Sequence, residues 1–160
     1  FIGGVTEVKG IRIFCEAVNR ANVPAVVIGD GILRKELEEK YPDIEFVGWK
    51  SKQEMTPYLL RARCMIFSSI WYETMGLTPL EVMLYGIPVI CSELNAASEY
   101  IFKEMQYDGS VDGLVNKIKE LSDDNLVKDV GERIFKDFDF NVYSKDNYLN
   151  GLINLYNDII

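Results

Sequence analysis

The sequence of 160 residues contains no histidine. Histidine is the side chain that most often transfers protons near neutral pH. Any general base that this chain supplies must therefore be a carboxylate, a lysine, a tyrosine or a cysteine, unless another chain segment provides it.

Cysteine is scarce as well, and Cys15, Cys64 and Cys91 lie far apart in apolar stretches. Their spacing matches no metal-binding motif, and isolated apolar cysteines are typical of a reducing compartment. We find no pattern of a signal peptide and no apolar run long enough to span a membrane. The sequence therefore predicts no metal site, no transmembrane segment and a reducing compartment.

Positive charge is sparse and dispersed. The chain has 17 Lys and Arg against 25 Asp and Glu, which gives a net charge of −8. Without a concentrated basic patch, a nucleic-acid partner is not expected. A phosphorylated ligand would have its charge met locally, by helix N-termini and a few basic side chains.

Apolar strand patterns alternate with helical patterns along most of the chain. This alternation predicts an α/β fold, a doubly wound, mostly parallel Rossmann-like sheet with helices on both faces. A helical tail follows, and its last helix carries a wide apolar stripe over 149–160. The predicted strands number about six and cover Phe1–Ile2, 25–28, 44–47, 64–67, 88–91 and 105–107. The length is that of one domain.

The most informative stretch contains two glutamates eight positions apart, Glu73 and Glu81. It reads W-Y-E-T-M-G-L-T-P-L-E over residues 71–81, and G-I-P-V-I follows at 86–90. The first glutamate is predicted on a loop after a strand and the second in the first turn of a helix. Open α/β sheets bind ligands at this edge, beside the partial positive charge of helix N-termini.

This block resembles the E-x7-E signature of the group 1 (family 4) retaining glycosyltransferases. The resemblance covers nearly the whole chain and implies the donor-binding domain of a two-domain GT-B enzyme. Residues 1–160 would then be a single nucleotide-sugar-binding domain, the C-terminal half of a parent whose N-terminal acceptor domain is absent. Because the sequence does not begin with Met, we also expect an excised fragment or a processed product.

The resemblance implies roles for both glutamates. Glu81 would accept hydrogen bonds from the ribose hydroxyls, and Glu73 would hold the donor sugar near its anomeric carbon. Two simpler interpretations stay open. Thr78-Pro79-Leu80-Glu81 fits a capping box, in which Glu81 holds its own helix end. Glu73 fits a solvated loop carboxylate.

The diphosphate would meet a helix start and a lysine. Gly76, Leu77 and Thr78 would offer backbone N–H groups, and Lys9 matches the family's lysine in G-R-x(4)-K-G. The arginine of that motif is replaced by Gly4, so one phosphate contact is missing. Arg12, one turn into the next helix, is the nearest substitute.

Two further segments match the family less specifically. Gly29-Asp30-Gly31 corresponds to a G-x-G turn beside the nucleotide, although such a tripeptide is also an ordinary strand-to-helix turn. Residues 46–49, F-V-G-W, correspond to the segment along the base, where Trp49 either stacks on a base or covers the core. At 95–99, Glu99 matches the family's G-G-x-x-E turn but the glycine pair is replaced by alanines.

Three functions are compatible with this sequence. The first is sugar transfer from a nucleoside-diphosphate sugar to an acceptor with retention of configuration, without cofactor or metal, by a cytoplasmic parent that is peripheral to the inner membrane face in some members. The second is a nucleotide-binding or assembly module that has lost catalysis, as Gly4 suggests. The third, an epimerase or a phosphorylase, is disfavoured because such enzymes usually use histidine or extra basic residues here.

Overall fold

The computed structural model describes residues 1–159, and these residues form five strands, all parallel, in two sheets. One sheet pairs β1 (Ala25–Ile28) with β2 (Ile44–Gly48). The other has the order β3 (Met65–Phe67), β4 (Val89–Ser92) and β5 (Gln106–Tyr107). Every residue of β3 and β4 is buried, as the continuous apolar runs predict for parallel strands covered on both faces.

The prediction of about six strands is wrong by one. Phe1 and Ile2 make a single parallel bridge to Ile28, with hydrogen bonds of 2.9 Å from Ile28 N to the Phe1 carbonyl and 3.0 Å from Gly3 N to the Ile28 carbonyl. The chain then turns away at Gly3, which has a φ of +152°. An apolar pair marks the location correctly, but two paired residues are too few for a strand.

Seven α-helices and four 3₁₀-helices, joined to the strands by loops, complete the secondary structure of residues 1–159. The predicted capping box at Ser51 is confirmed, since its hydroxyl accepts from Glu54 N while the Glu54 carboxylate accepts from Ser51 N. The α-helices are α1 (Ile11–Ala21), α2 (Arg34–Lys40), α3 (Lys52–Leu59), α4 (Leu77–Met83), α5 (Val111–Glu120), α6 (Asp124–Asp137) and α7 (Lys145–Ile159). The 3₁₀-helices are Glu7–Lys9, Ala96–Glu99, Lys103–Met105 and Phe140–Tyr143.

The core lies between the strands and the helices that cover them. Helix α1 packs against α5, and an ion pair of 2.6 Å between Arg20 and Asp112 closes the edge of that contact. The largest fully buried aliphatic side chains come from strands and helices alike: Ile11, Leu37, Ile90, Met105, Leu114, Leu121 and Ile134.

The last helix of the tail, α7, leaves the core. No residue of α7 as far as Ile159 is buried, and the helix contacts mainly the preceding 3₁₀-helix Phe140–Tyr143. Within its described part the predicted apolar stripe is therefore exposed except at Leu152, which is half-buried; Ile160, its last member, lies outside the described residues. None of the helices within 1–159 has both the length and the apolar character that crossing a membrane requires.

One apolar cavity, of about 560 Å³, is lined by neither motif glutamate. It opens at the amino-terminal ends of β1 and β3 and is lined mainly by apolar side chains, among them Phe14, Val18 and Ile118. The predicted site residues follow the carboxyl-terminal ends of the strands instead, where parallel sheets place their ligands.

Candidate functional site

Two loops meet at the carboxyl-terminal edge of the sheets. The Val8 carbonyl accepts hydrogen bonds from Ile70 N at 3.0 Å and Trp71 N at 3.1 Å, which ties the loop after Ile2 to the loop after β3. Gly10 makes this approach possible, because its φ of +66° and its missing side chain leave room for the Ser68 carbonyl. The two sheets are thus joined where the predicted site lies.

Lys9 and Glu73, 64 positions apart, form an ion pair between these loops. Glu73 Oε1 also accepts a hydrogen bond of 3.0 Å from Ser69 Oγ. The Glu73 side chain is only 19% exposed and that of Lys9 is 36% exposed. Glu73 is therefore a partly buried, paired carboxylate, and the interpretation of it as a solvated loop residue is wrong.

Glu81 does not cap its helix. Helix α4 starts at Leu77 with Gly76 as its N-cap at φ +71°, so Thr78 and Pro79 already lie inside the first turn. The capping-box interpretation is therefore wrong. The Glu81 carboxylate instead accepts a hydrogen bond of 2.7 Å from Lys52 Nζ, in a pair whose side chains are 48% and 80% exposed. This bond raises the pKa of Lys52, and the exposed carboxylate remains within reach of a ligand.

The start of α4 has no side-chain cap. The first N–H groups of an α-helix lack intrahelical acceptors, so those of Leu77 and Thr78 are candidate donors to an anion. The turn before them is fixed from outside, because Tyr100 Oη lies 2.8 Å from the Met75 carbonyl oxygen and 2.7 Å from that of Gly76. The predicted diphosphate-binding residues thus sit on a well-anchored turn.

The Gly29-Asp30-Gly31 turn packs against the chain itself. A Cβ at Gly29 would lie 1.9 Å from the Gly3 carbonyl oxygen, and one at Gly31 would lie 2.4 Å from that of Val5. Asp30 Oδ1 accepts from Gly31 N at 2.8 Å, which stabilises the turn. Both glycines therefore serve the close approach of two loops, and contact with a nucleotide stays a prediction.

Gly4 leaves an opening, and Arg12 does not fill it. A Cβ at Gly4 would meet no heavy atom nearer than 3.9 Å. The Arg12 guanidinium binds both carboxylate oxygens of Glu36, at 2.6 and 2.9 Å, and that of Glu7 at 2.8 Å. These bonds raise the pKa of Arg12 and occupy its guanidinium. Arg12 therefore does not replace the arginine that is missing at position 4.

Trp49 follows β2 and is 73% exposed. Of its two predicted roles, covering the core is therefore wrong, and stacking on a base stays a prediction. Within residues 1–159 no group of three or more carboxylates and thiols is gathered as a metal site would require. The expectation that no metal or cofactor takes part also stays a prediction.

Sequence reasoning missed several residues of the site. Lys52 carries no family motif and was visible only as the first residue of a capped helix. Asn95 is buried, and its Nδ2 donates to the carbonyls of Ser69 at 3.2 Å and Trp71 at 3.3 Å. Such contacts span about 25 positions of sequence, so no local pattern indicates them.

A family model for group 1 glycosyl transferases matches residues 1–124. The chain belongs to this family. Among curated relatives, the O-antigen chain mannosyltransferase C of Escherichia coli is 24% identical over 173 aligned positions, which cover 100% of this chain and 46% of that protein. The chain thus spans about half the length of the curated relatives that it matches along its whole extent.

Solved structures show the same fold, the GT-B Rossmann-like domain. The C-terminal domain of the group 1 protein LpcC from Francisella tularensis has a TM-score of 0.74 and 25% identity, with 84% of this chain and 80% of that chain covered. Anabaena Alr3699/HepE, solved in complex with UDP, has a TM-score of 0.74 and 18% identity, with 96% and 49% covered. The predicted fold class and family are confirmed.

Proposed function

We propose that residues 1–160 are the donor-binding domain of a glycosyltransferase that moves a sugar from a nucleoside-diphosphate sugar to an acceptor with retention of configuration. The observation that carries this proposal is the Lys9–Glu73 pair. Its members stand far apart in sequence and are the two residues that the motifs single out for the diphosphate and the sugar. Their meeting at the carboxyl-terminal edge is what a donor site requires.

Each residue would act on one part of the donor. Glu81 does not cap its helix, so its carboxylate would be able to accept hydrogen bonds from the ribose hydroxyls. Lys52 would either leave this carboxylate or share it with the ribose. Lys9 would turn from Glu73 to the diphosphate and, with the N–H groups that begin α4, stabilise the charge that develops on the leaving group. Glu73 would orient the sugar and stabilise positive charge at the anomeric carbon.

The acceptor would come from outside these residues. The relatives are about twice as long as this chain, and Anabaena Alr3699/HepE, with a similar fold, is in complex with UDP. We therefore place the acceptor site on a preceding domain of a cytoplasmic parent that takes part in polysaccharide or glycolipid synthesis. The 160 residues alone would bind donor weakly and would not turn it over.

Gly4 favours a second candidate. A site with Lys9 as its only motif cation would hold a diphosphate less firmly, which fits a nucleotide-binding module that no longer catalyses. Restoring the side chain is sterically open, because the nearest atoms to a Cβ there lie 3.9 Å away. Gly4→Arg should therefore strengthen nucleotide binding without disturbing the fold.

The test is thermal unfolding with UDP, GDP, ADP, their common sugar conjugates and phosphate, followed by circular dichroism. A ligand at a hundredfold excess over its Kd stabilises the folded state by about 2.7 kcal/mol, which raises Tm by roughly 5–11 °C for a chain of this size. We expect one base to be selected and the shift to disappear in Glu81→Ala. A shift with Gly4→Arg alone would favour the second candidate, and a flat panel for both proteins would contradict donor binding by this domain.

A further inference from the structure

The loop that carries Glu73 contains no regular secondary structure between β3 and α4. Its own hydrogen bonds are few. Ile70 and Trp71 donate to Val8, and Glu73 N donates to the Trp71 carbonyl at 2.8 Å. An irregular segment of this kind loses much conformational entropy when it is ordered, so its geometry depends on contacts from elsewhere in the fold.

Asn95, directly after β4, holds the first half of this loop. Its side chain is 4% exposed, and its two amide hydrogens point to the carbonyls of Ser69 and Trp71. Its Oδ1 accepts from Ala97 N at 3.0 Å, so the side chain is fixed at both ends. A buried amide with every bond satisfied determines the position of its partners closely.

Tyr100, five residues later, holds the second half. Its hydroxyl reaches the carbonyls of Met75 and Gly76, the two residues that lead into α4. Its ring packs edge-on against Phe138 at 6.3 Å and Tyr143 at 5.7 Å, which prevents the side chain from swinging away. Burial raises the pKa of its phenol, so the hydroxyl stays protonated and able to donate.

We propose that Asn95 and Tyr100 are positioning residues that fix the loop on either side of Glu73 and thereby set the donor site. Asn95 binds the loop backbone before this glutamate and Tyr100 binds it after. The backbone of Glu73 is therefore held on both sides. Tyr100 also fixes the N-cap of α4, which orients the N–H groups proposed for the diphosphate. This inference rests on the proposed function for its consequence in binding, but not for the contacts themselves.

The test compares Asn95→Ala and Tyr100→Phe with Tyr143→Phe as a matched control. The control also loses a phenol hydroxyl from the same aromatic cluster, but one that makes none of these loop contacts. The first measurement is amide hydrogen exchange of Ile70, Trp71 and Glu73 without ligand. We expect exchange at least tenfold faster in Asn95→Ala and Tyr100→Phe than in the wild type and in Tyr143→Phe, with the core strands unchanged.

The second measurement is binding of UDP, GDP and ADP, compared with the corresponding monophosphates and with the corresponding sugar conjugates. If Tyr100 positions the diphosphate site, Tyr100→Phe should lower the preference for diphosphate over monophosphate by about tenfold, the loss expected for about 1.4 kcal/mol. Asn95→Ala should reduce the additional affinity that a sugar conjugate provides, and Tyr143→Phe should change neither.

Two results would overturn the inference. Loop exchange that stays at the wild-type rate in both variants would mean that other contacts hold the loop. Faster exchange with unchanged ligand preferences would mean that the loop is held but the donor site does not depend on it. A wild-type chain that binds no nucleotide at all would instead contradict the proposed function. Amide hydrogen exchange would still show whether Asn95 and Tyr100 hold the loop.

Discussion

Replacing Gly10 by alanine tests whether the close approach of the two site loops holds the fold together. Gly10 has φ +66° and ψ 25°, a left-handed conformation that costs a residue with a Cβ about 1–2 kcal/mol. The added Cβ would also lie 1.8 Å from the Ser68 carbonyl oxygen and 2.7 Å from its carbon. Backbone on both sides must move apart, and overpacking of this kind costs about 1–3 kcal/mol.

The sum, about 3 kcal/mol, corresponds to a fall in Tm of roughly 6–12 °C for a chain of this length. Thermal and urea unfolding followed by circular dichroism would measure it. Gly4→Ala is the matched control in the same loop, because its Cβ meets nothing nearer than 3.9 Å and its backbone is not left-handed. Equal stability of the two variants would refute the reasoning, since it would mean that the loops do not touch as described.

Two further predictions concern a lysine and the thiols. Lys52→Ala should leave Tm unchanged, because the ion pair of Lys52 with Glu81 is exposed. The same change should tighten nucleotide binding about two- to fivefold, because it frees the Glu81 carboxylate. Weaker nucleotide binding in calorimetry would show instead that the Lys52 ammonium contacts the ligand. Burial raises the pKa of Cys15 and Cys91 from 9.0 to about 12, so these thiols ionise more readily in the unfolded chain. Their contribution to stability is complete below pH 9 and is lost as pH rises, by about 1.4 kcal/mol per thiol at pH 10. Urea unfolding at pH 8 and 10 would check this, and Cys91→Ala should show a smaller loss than the wild type.

The sequence predicted what depends on local pattern. The continuous apolar run bounded by Pro24 and Gly29 gave β1 with its observed limits, and the Ser51 capping box gave the start of α3. The wider block from Glu73 to Ile90 gave the family. Each of these signals is contained in a few adjacent residues whose physical preferences agree with the final structure.

The sequence failed where a local pattern fits more than one structure. Thr78 to Glu81 satisfies a capping box, but the left-handed Gly76 begins the helix two residues earlier and leaves that box without a role. The side chains that hold the Glu73 loop were also not predicted, because Asn95 and Tyr100 reach partners about 25 positions away. Only the folded chain brings such groups together.

The apolar cavity at the amino-terminal ends of β1 and β3 affects how stability should be measured. With about 560 Å³ of space and walls such as Phe14 and Val18, it is large enough to admit an aromatic dye while the protein is folded. Dyes that fluoresce on contact with apolar surface normally show little fluorescence until a protein begins to unfold and exposes its core. We expect such a dye to fluoresce with this protein already at room temperature. A dye-based melting curve would then start from a high baseline, and the rise in fluorescence on unfolding would be too small. Circular dichroism reports the backbone directly and avoids that error.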